Sequence, residues 1–129
     1  MKVLIDTHVF LWAAAEPLRL EARIREAILS SENQVLVSAV TPWEIAIKQG
    51  LGRLSFPLDR FDVTIDGMGC SILPILPGHA IAVARLPRHH NDLFDRMLIS
   101  QALMEGLTLV TRDRAIMQYE VPVFGTADR

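Results

Sequence analysis

The most constraining feature of the sequence is a set of short apolar runs: KVLI at residues 2–5, QVLV at 34–37, SILPIL at 71–76 and LTLV at 107–110. Longer stretches of helical periodicity separate them. A four-residue run without apolar–polar alternation suits a strand buried on both faces. Strands alternating with helices need right-handed crossovers, so the expected fold is α/β. It is a three-layer α/β/α arrangement around a mainly parallel central sheet of four to five strands. VPVF at 121–124 supplies the fifth strand, short and Pro-bearing. Pro74 has no backbone donor, which sends 71–76 to an edge of the sheet.

The intervening segments read as helices. One runs from Thr7 to near Glu16, before Pro17. A second lies in LRLEARIREAILSS, with Leu20, Ile24, Ala27 and Ile28 on one stripe and charges opposite. Thr41-Pro42-Trp43-Glu44 combines a hydroxyl N-cap, Pro at the first helical position and Glu at the third. A capped helix is expected from there to Gly50 and Gly52. A short helix is expected between Pro57 and Gly67, and another over 78–86. A long helix follows over 92–105, with Phe94, Leu98 and Ala102 beside Met97 and Gln101 and with Gly106 at its end. No internal repeat or linker interrupts the pattern, and 129 residues suit one domain over 1–129.

Cys70 is the only cysteine, so an intramolecular disulfide is impossible and a cysteine-based metal site lacks ligands. That suits a reducing cytoplasm. Asp6 and His8 interrupt the N-terminal apolar stretch, against a signal peptide. No apolar run approaches the roughly 18 residues of a spanning helix, so no membrane partner is expected. Thirteen Lys and Arg against fifteen Asp and Glu give a net charge of -2, which excludes a generally basic duplex binder.

In a parallel sheet, ligands sit beyond the carboxyl ends of the strands. Asp6 ends the first strand, Glu44 lies in the first turn of the helix after the second, Asp113 follows the fourth, and Asp95 opens the helix feeding it. Four carboxylates can therefore converge on one cleft. Such carboxylates repel by about 4 kcal/mol per pair at 4 Å and an effective dielectric near 20. A hard divalent cation offsets this, since Mg²⁺ takes oxygen ligands and is held by one or two carboxylates beside a phosphate. Phosphodiester hydrolysis is the chemistry that follows. Each acid also has a plain structural reading: Glu44 completes a Thr-x-x-Glu box, Asp95 and Asp92 suit a helix start, and Asp113 can cap a short helix towards Tyr119. Asp6 is the hardest to explain this way, because a carboxylate behind a buried strand needs a partner. Ser38 and Thr111 follow strands at the same edge, where hydroxyls orient carboxylates or close turns. His8, His79, His89 and His90 lack the spacing of a helix-borne metal pair, and His90 could hold the turn at Asp92–Asp95.

LIDTHVFLW at the start, VSAVTPWEIAIKQGLGRL in the middle and HNDLFDRMLISQA followed by LVTRD span nearly the whole chain in this order. Together they resemble the PIN domain, in particular the toxin component of VapBC-type toxin–antitoxin modules. The resemblance implies a ribonuclease dependent on Mg²⁺ or Mn²⁺ whose four acidic positions fall on Asp6, Glu44, Asp95 and Asp113. Asp6 and Asp95 would be the most direct metal ligands, with Ser38, Thr111 and Asp92 supporting. Leu93 stands where the family motif carries Pro. The resemblance further implies a homodimer, an RNA substrate and inhibition by a cognate antitoxin whose tail enters the acidic cleft. RNA needs cations beyond the metal, and Lys48, Arg53, Arg88, Arg96, Arg112 and Arg114 flank the site in sequence.

Other readings are weaker. A phosphoacceptor receiver domain needs a Lys at a late strand end, whereas this chain has only Lys2 and Lys48. A haloacid-dehalogenase-like phosphatase needs a second Asp where His8 stands. The remaining rival is a catalytically inactive PIN-like module that binds RNA or protein. With the four acids assigned to a metal, the thirteen bases outnumber the eleven acids that remain, which reconciles the modest net charge with a nucleic-acid substrate.

Overall fold

The computed structural model describes residues 1–125. Five parallel strands form the sheet in the order β3-β2-β1-β4-β5. They are β1 (Lys2–Ile5), β2 (Gln34–Ser38), β3 (Ser71–Leu73), β4 (Thr108–Val110) and β5 (Val123–Phe124). The helices are α1 (Thr7–Ala15), α2 (Ala22–Leu29), α3 (Val40–Gly50), α4 (Phe61–Met68), α5 (Pro77–Ala82), α6 (Leu93–Glu105) and α7 (Arg114–Met117). The sheet is entirely parallel, and β3 stands at its edge ahead of Pro74, as the missing donor requires.

The unbroken apolar runs are explained by helices on both faces. Successive side chains of a strand point to opposite sides. Val3 and Ile5 of β1, Val35 and Val37 of β2 and Val110 of β4 pack with Val9, Phe10, Ile24, Ile28 and Ile65. Leu4 and Leu109 face the other way, against Leu98, Ile99, Ala102, Ile116 and Tyr119. Val3, Leu4 and Ile5 are fully buried. Phe10 packs obliquely on Phe56 and Phe61, with ring centroids 5.6 and 5.4 Å apart. Leu20, Ile24, Ala27 and Ile28 are all buried, so the stripe read from the sequence is the face that enters the core.

Three local expectations are corrected. α3 starts one residue before Thr41, with Ala39 at its N-cap position and no side-chain cap. The Ser38 hydroxyl accepts from the Val40 backbone N–H at 2.9 Å, so the chain turns helical before Thr41 and the Thr41–Glu44 capping box does not form. The expected helix over 78–86 divides into α5 and a 3₁₀ turn over Val83–Arg85. β5 is confined to Val123–Phe124, after Pro122. At the end of α6, Gly106 takes φ +67°, the left-handed conformation that closes a helix most easily with glycine.

Strand order reverses at β1, whose neighbours are β2 and β4. The carboxyl ends of β1 and β4 therefore bound the crevice where ligands bind in open parallel sheets. No helix among the described residues is long and apolar enough to cross a membrane.

Candidate active site

Asp6 follows β1 directly and is buried. Its Oδ1 accepts from the Val9 N–H at 2.8 Å, capping α1, and its Oδ2 accepts from the Thr111 hydroxyl at 2.5 Å. The partner that a carboxylate needs behind a central strand is thus a helix terminus and a hydroxyl from β4's end. Burial still dominates and pushes the Asp6 carboxyl up to about 6, although Thr111, Val9 and His8 act in the opposite direction; Asp113 adds to the rise.

Asp95 lies in the first turn of α6. Its N–H donates at 2.9 Å to Asp92, the N-cap. Its carboxyl is pushed up to about 8, first by burial and then by the charges of Asp92, Asp113, Asp6 and Glu44. The other three acids named from the sequence are thus among the charges that act on Asp95. Asp95 Oδ2 is 3.2 Å from His90 Nε2, and His90 Nδ1 is 2.8 Å from the Tyr119 hydroxyl. His90 holds this turn as the sequence suggested. Tyr119 escapes sequence reasoning because 29 positions separate it from His90.

Glu44 sits on the second turn of α3 and is buried. Lys48 donates to its Oε2 at 2.5 Å, a pair whose i,i+4 spacing was legible in the sequence. Its Oε1 is buried and has no hydrogen-bond partner among the described residues. Asp113 caps α7 by accepting from Ala115 N–H at 2.8 Å, and its own N–H donates to Thr111 Oγ1 at 2.9 Å. Asp6 and Asp113 line a common cavity of about 210 Å³ with His8, Val9, Trp12 and Arg112.

The two supporting hydroxyls differ. Thr111 bonds Asp6, whereas Ser38 donates to Gln101 Oε1 at 2.6 Å and so ties β2 to α6. Gln101 Nε2 in turn donates to the Pro74 carbonyl at 3.2 Å. Ser38 is therefore engaged with the fold and hydrogen-bonds none of the four acids.

The donor set can be tested against a hard divalent cation. Its atoms are carboxylate and hydroxyl oxygens, the chemistry that Mg²⁺ and Mn²⁺ prefer. A buried carboxylate oxygen without a donor, as at Glu44 Oε1, is costly unless a cation completes it. No three His, Cys, Asp or Glu side chains among the described residues close around a single point. Mg²⁺ is suited to such an open arrangement, because it keeps several waters and takes one or two carboxylates directly. The residues fit the ion.

The cations around the site are not equivalent. Arg96, expected beside the substrate, is buried: its guanidinium donates to the carbonyls of Pro87, Val83 and Leu86 and to the Tyr119 hydroxyl. It fastens the loop before α6 and is withdrawn from the surface. Arg112 lies over the Trp12 ring, 4.9 Å from its centroid. Lys48 is paired with Glu44, while Arg53 is exposed nearby. His79 is fully buried against Glu105, 2.8 Å away, and joins α5 to α6. Cys70 is half-buried, and burial pushes its thiol up, which fits a structural role.

The PIN domain family model matches residues 3–122. Ribonuclease VapC22 of Mycobacterium tuberculosis (strain ATCC 25618 / H37Rv) is 30% identical over 127 residues, 93% of each chain. The fold superposes on VapBC2 from Rickettsia felis, solved bound to a DNA fragment from its promoter, with a TM-score of 0.71 at 15% identity over 97% of this chain and 98% of that one. It also superposes on FitAcB from Neisseria gonorrhoeae, with a TM-score of 0.64 at 25% identity over 95% and 96% of the two chains. With a family model covering almost its full length and an all-parallel sheet that carries acids at its carboxyl edge, the chain belongs to the PIN-domain family.

Proposed function

We propose that this protein is the toxin component of a type II toxin–antitoxin module of the VapBC type, a ribonuclease that hydrolyses RNA phosphodiester bonds. The reading includes Mg²⁺ or Mn²⁺ as cofactor, Asp6, Glu44, Asp95 and Asp113 as the acids that hold it, a homodimer in the cytoplasm, and a cognate antitoxin as inhibitor. The observation that carries it is the raised carboxyl of Asp95, which burial and four neighbouring carboxylates push up to about 8. Such crowding without a cation opposes ionisation, and family members similar to this chain include a protein named as a ribonuclease.

When bound, the cation supplies positive charge for the carboxylates and the scissile phosphate and makes a bound water more acidic. The chain supplies the placement. Thr111 and the start of α1 hold Asp6 in a single orientation, Asp92 and His90 hold Asp95, and Lys48 holds one oxygen of Glu44. The Glu44–Lys48 pair weighs on the side of an inactive PIN-like binding module, because it occupies an oxygen that a metal could use.

Cleavage of defined RNAs by the purified protein separates the two. Activity that depends on added Mg²⁺ or Mn²⁺ and is lost in Asp6→Asn supports the ribonuclease. Equal cleavage by wild type and Asp6→Asn, or none by either, rejects it. In cells, induced expression should arrest growth and co-expression of the antitoxin should relieve it; unaffected growth with soluble, active protein counts against the toxin role.

A further inference from the structure

Next to the acidic cluster lies a second cavity of about 420 Å³, within the range of roughly 300–1,000 Å³ in which small ligands bind. His8 and Glu44 form its boundary with the site, Lys48 and Arg53 bring positive charge, the Glu16 carboxylate in its lining is paired with Arg19, and Leu11 and Leu54 give it an apolar wall. An all-acidic cleft repels a phosphodiester, so the substrate needs cations just outside the cluster. Arg96 is buried among carbonyls, and Arg112, over Trp12 on the far side of Asp6 from this cavity, is paired with Glu21 at 4.0 Å. Arg53 is exposed, and its guanidinium makes no hydrogen bond or ion pair among the described residues. Lys48 has three ammonium donors, of which Glu44 takes one.

A cation beside an apolar wall, open to the acids, matches one nucleotide of an unpaired strand, whose base needs apolar contact and whose phosphate needs charge. A duplex does not fit a cavity of this size. We propose that this cavity is the subsite for the nucleotide adjoining the scissile bond of single-stranded RNA, with Arg53 holding its phosphate and the Leu11–Leu54 wall receiving its base. The inference rests on the ribonuclease reading above and adds where the strand lies and which residue retains it.

The test uses a fluorescein-labelled single-stranded oligoribonucleotide with wild type, Arg53→Ala and, as a control, Lys2→Ala. Lys2 begins β1 at the opposite edge of the sheet and carries the same charge. Cleavage kinetics are measured with Mg²⁺, and binding is measured by anisotropy in an Asp95→Asn background. Arg53→Ala is expected to raise KM and Kd about tenfold with kcat within about twofold, and to reduce the slope of log Kd against log salt by about 0.7, the signature of one lost phosphate contact on a single strand. Lys2→Ala is expected to leave these values unchanged. If Arg53→Ala behaves like Lys2→Ala while wild type cleaves, the subsite is wrong and the ribonuclease reading stands. If wild type fails to cleave but Arg53→Ala weakens binding, the ribonuclease reading falls and the scissile-bond subsite falls with it, leaving Arg53 as an RNA contact only. Neither cleavage nor binding overturns both.

Discussion

The Thr111 hydroxyl donates to Asp6 Oδ2 at 2.5 Å, joining two buried residues 105 positions apart in the chain. The bond crosses the crevice between the ends of β1 and β4, so the strand pairing that closes the sheet also orients the first acid of the site. Thr111→Val removes the only side-chain donor of Asp6 among the described residues while keeping the shape. It should cost about 1–3 kcal/mol in stability through an unsatisfied buried carboxylate, and Thr111→Ser should recover most of it. Urea denaturation of the three proteins at pH 7 checks this.

The raised carboxyls set a pH dependence of stability. Asp95 binds its proton up to about pH 8 and Asp6 up to about pH 6 in the folded protein, against an ordinary carboxyl value of 3.8 for each. Between those limits the folded state holds protons that the unfolded chain releases. Stability without metal is therefore fullest below about pH 4 as far as these two groups are concerned, and declines as pH rises through 6 and 8. Asp95→Asn removes the larger part of this slope and should raise the metal-free melting temperature at pH 8 by about 3–6 °C while abolishing cleavage. Thermal melts from pH 5 to 9 in EDTA are the measurement; a slope unchanged by Asp95→Asn contradicts the electrostatic account.

Metal addition should act in the opposite sense. An ion that binds only the folded protein stabilises it by mass action, and it must displace the Asp95 proton to do so. Mg²⁺ at 10 times its Kd should stabilise wild type by about 1.4 kcal/mol at pH 8, less at pH 5, and not detectably in the Asp6→Asn, Asp95→Asn double variant. Melts with and without Mg²⁺, reversed by EDTA, decide it.

Arg96 gives a prediction about stability and not about substrate. Its guanidinium reaches three carbonyls and Tyr119, a geometry that a lysine ammonium cannot reproduce. Arg96→Lys and Arg96→Met should both destabilise the protein by about 2–4 kcal/mol. Denaturant midpoints measure the effect, and the salt dependence of RNA binding by the folded fraction should stay that of wild type.

Two glycines separate backbone conformation from close approach. Gly106 has φ +67° with open space where a Cβ would stand, so Gly106→Ala should cost about 1 kcal/mol. At Gly125 a Cβ would lie 2.5 Å from the Thr111 carbonyl oxygen. Gly125→Ala must therefore displace the backbone that presents Thr111 to Asp6, and should lower kcat as well as stability. Parallel melts and cleavage rates on the two variants distinguish the cases.

Several parts of the molecule were legible in the chain itself. The runs at 2–5 and 34–37 became β1 and β2 because unbroken apolar residues are tolerated only where helices cover both faces. Pro74 and Gly106 marked an edge and a helix end through their own backbone constraints. Asp92 and Asp113 could be read as helix-start residues because capping is a matter of two or three neighbouring positions. The start of α3 was misread for the same local reason. Ser38, held by Gln101 from 63 positions away, offers its oxygen to Val40 before Thr41 can act.

By itself, then, the sequence determined the alternation of strands and helices, the parallel sheet and the appearance of acids at strand and helix ends, all of which follow from short-range periodicity and capping. Only the tertiary structure decided which polar groups meet. It joined Thr111 to Asp6, His90 and Tyr119 to Asp95, and withdrew Arg96 from solvent into a cage of carbonyls. The physical reason is that burial and charge, unlike periodicity, depend on what the rest of the chain brings within a few ångströms. The Asp95 carboxyl is raised by residues that the sequence scatters from position 6 to position 113.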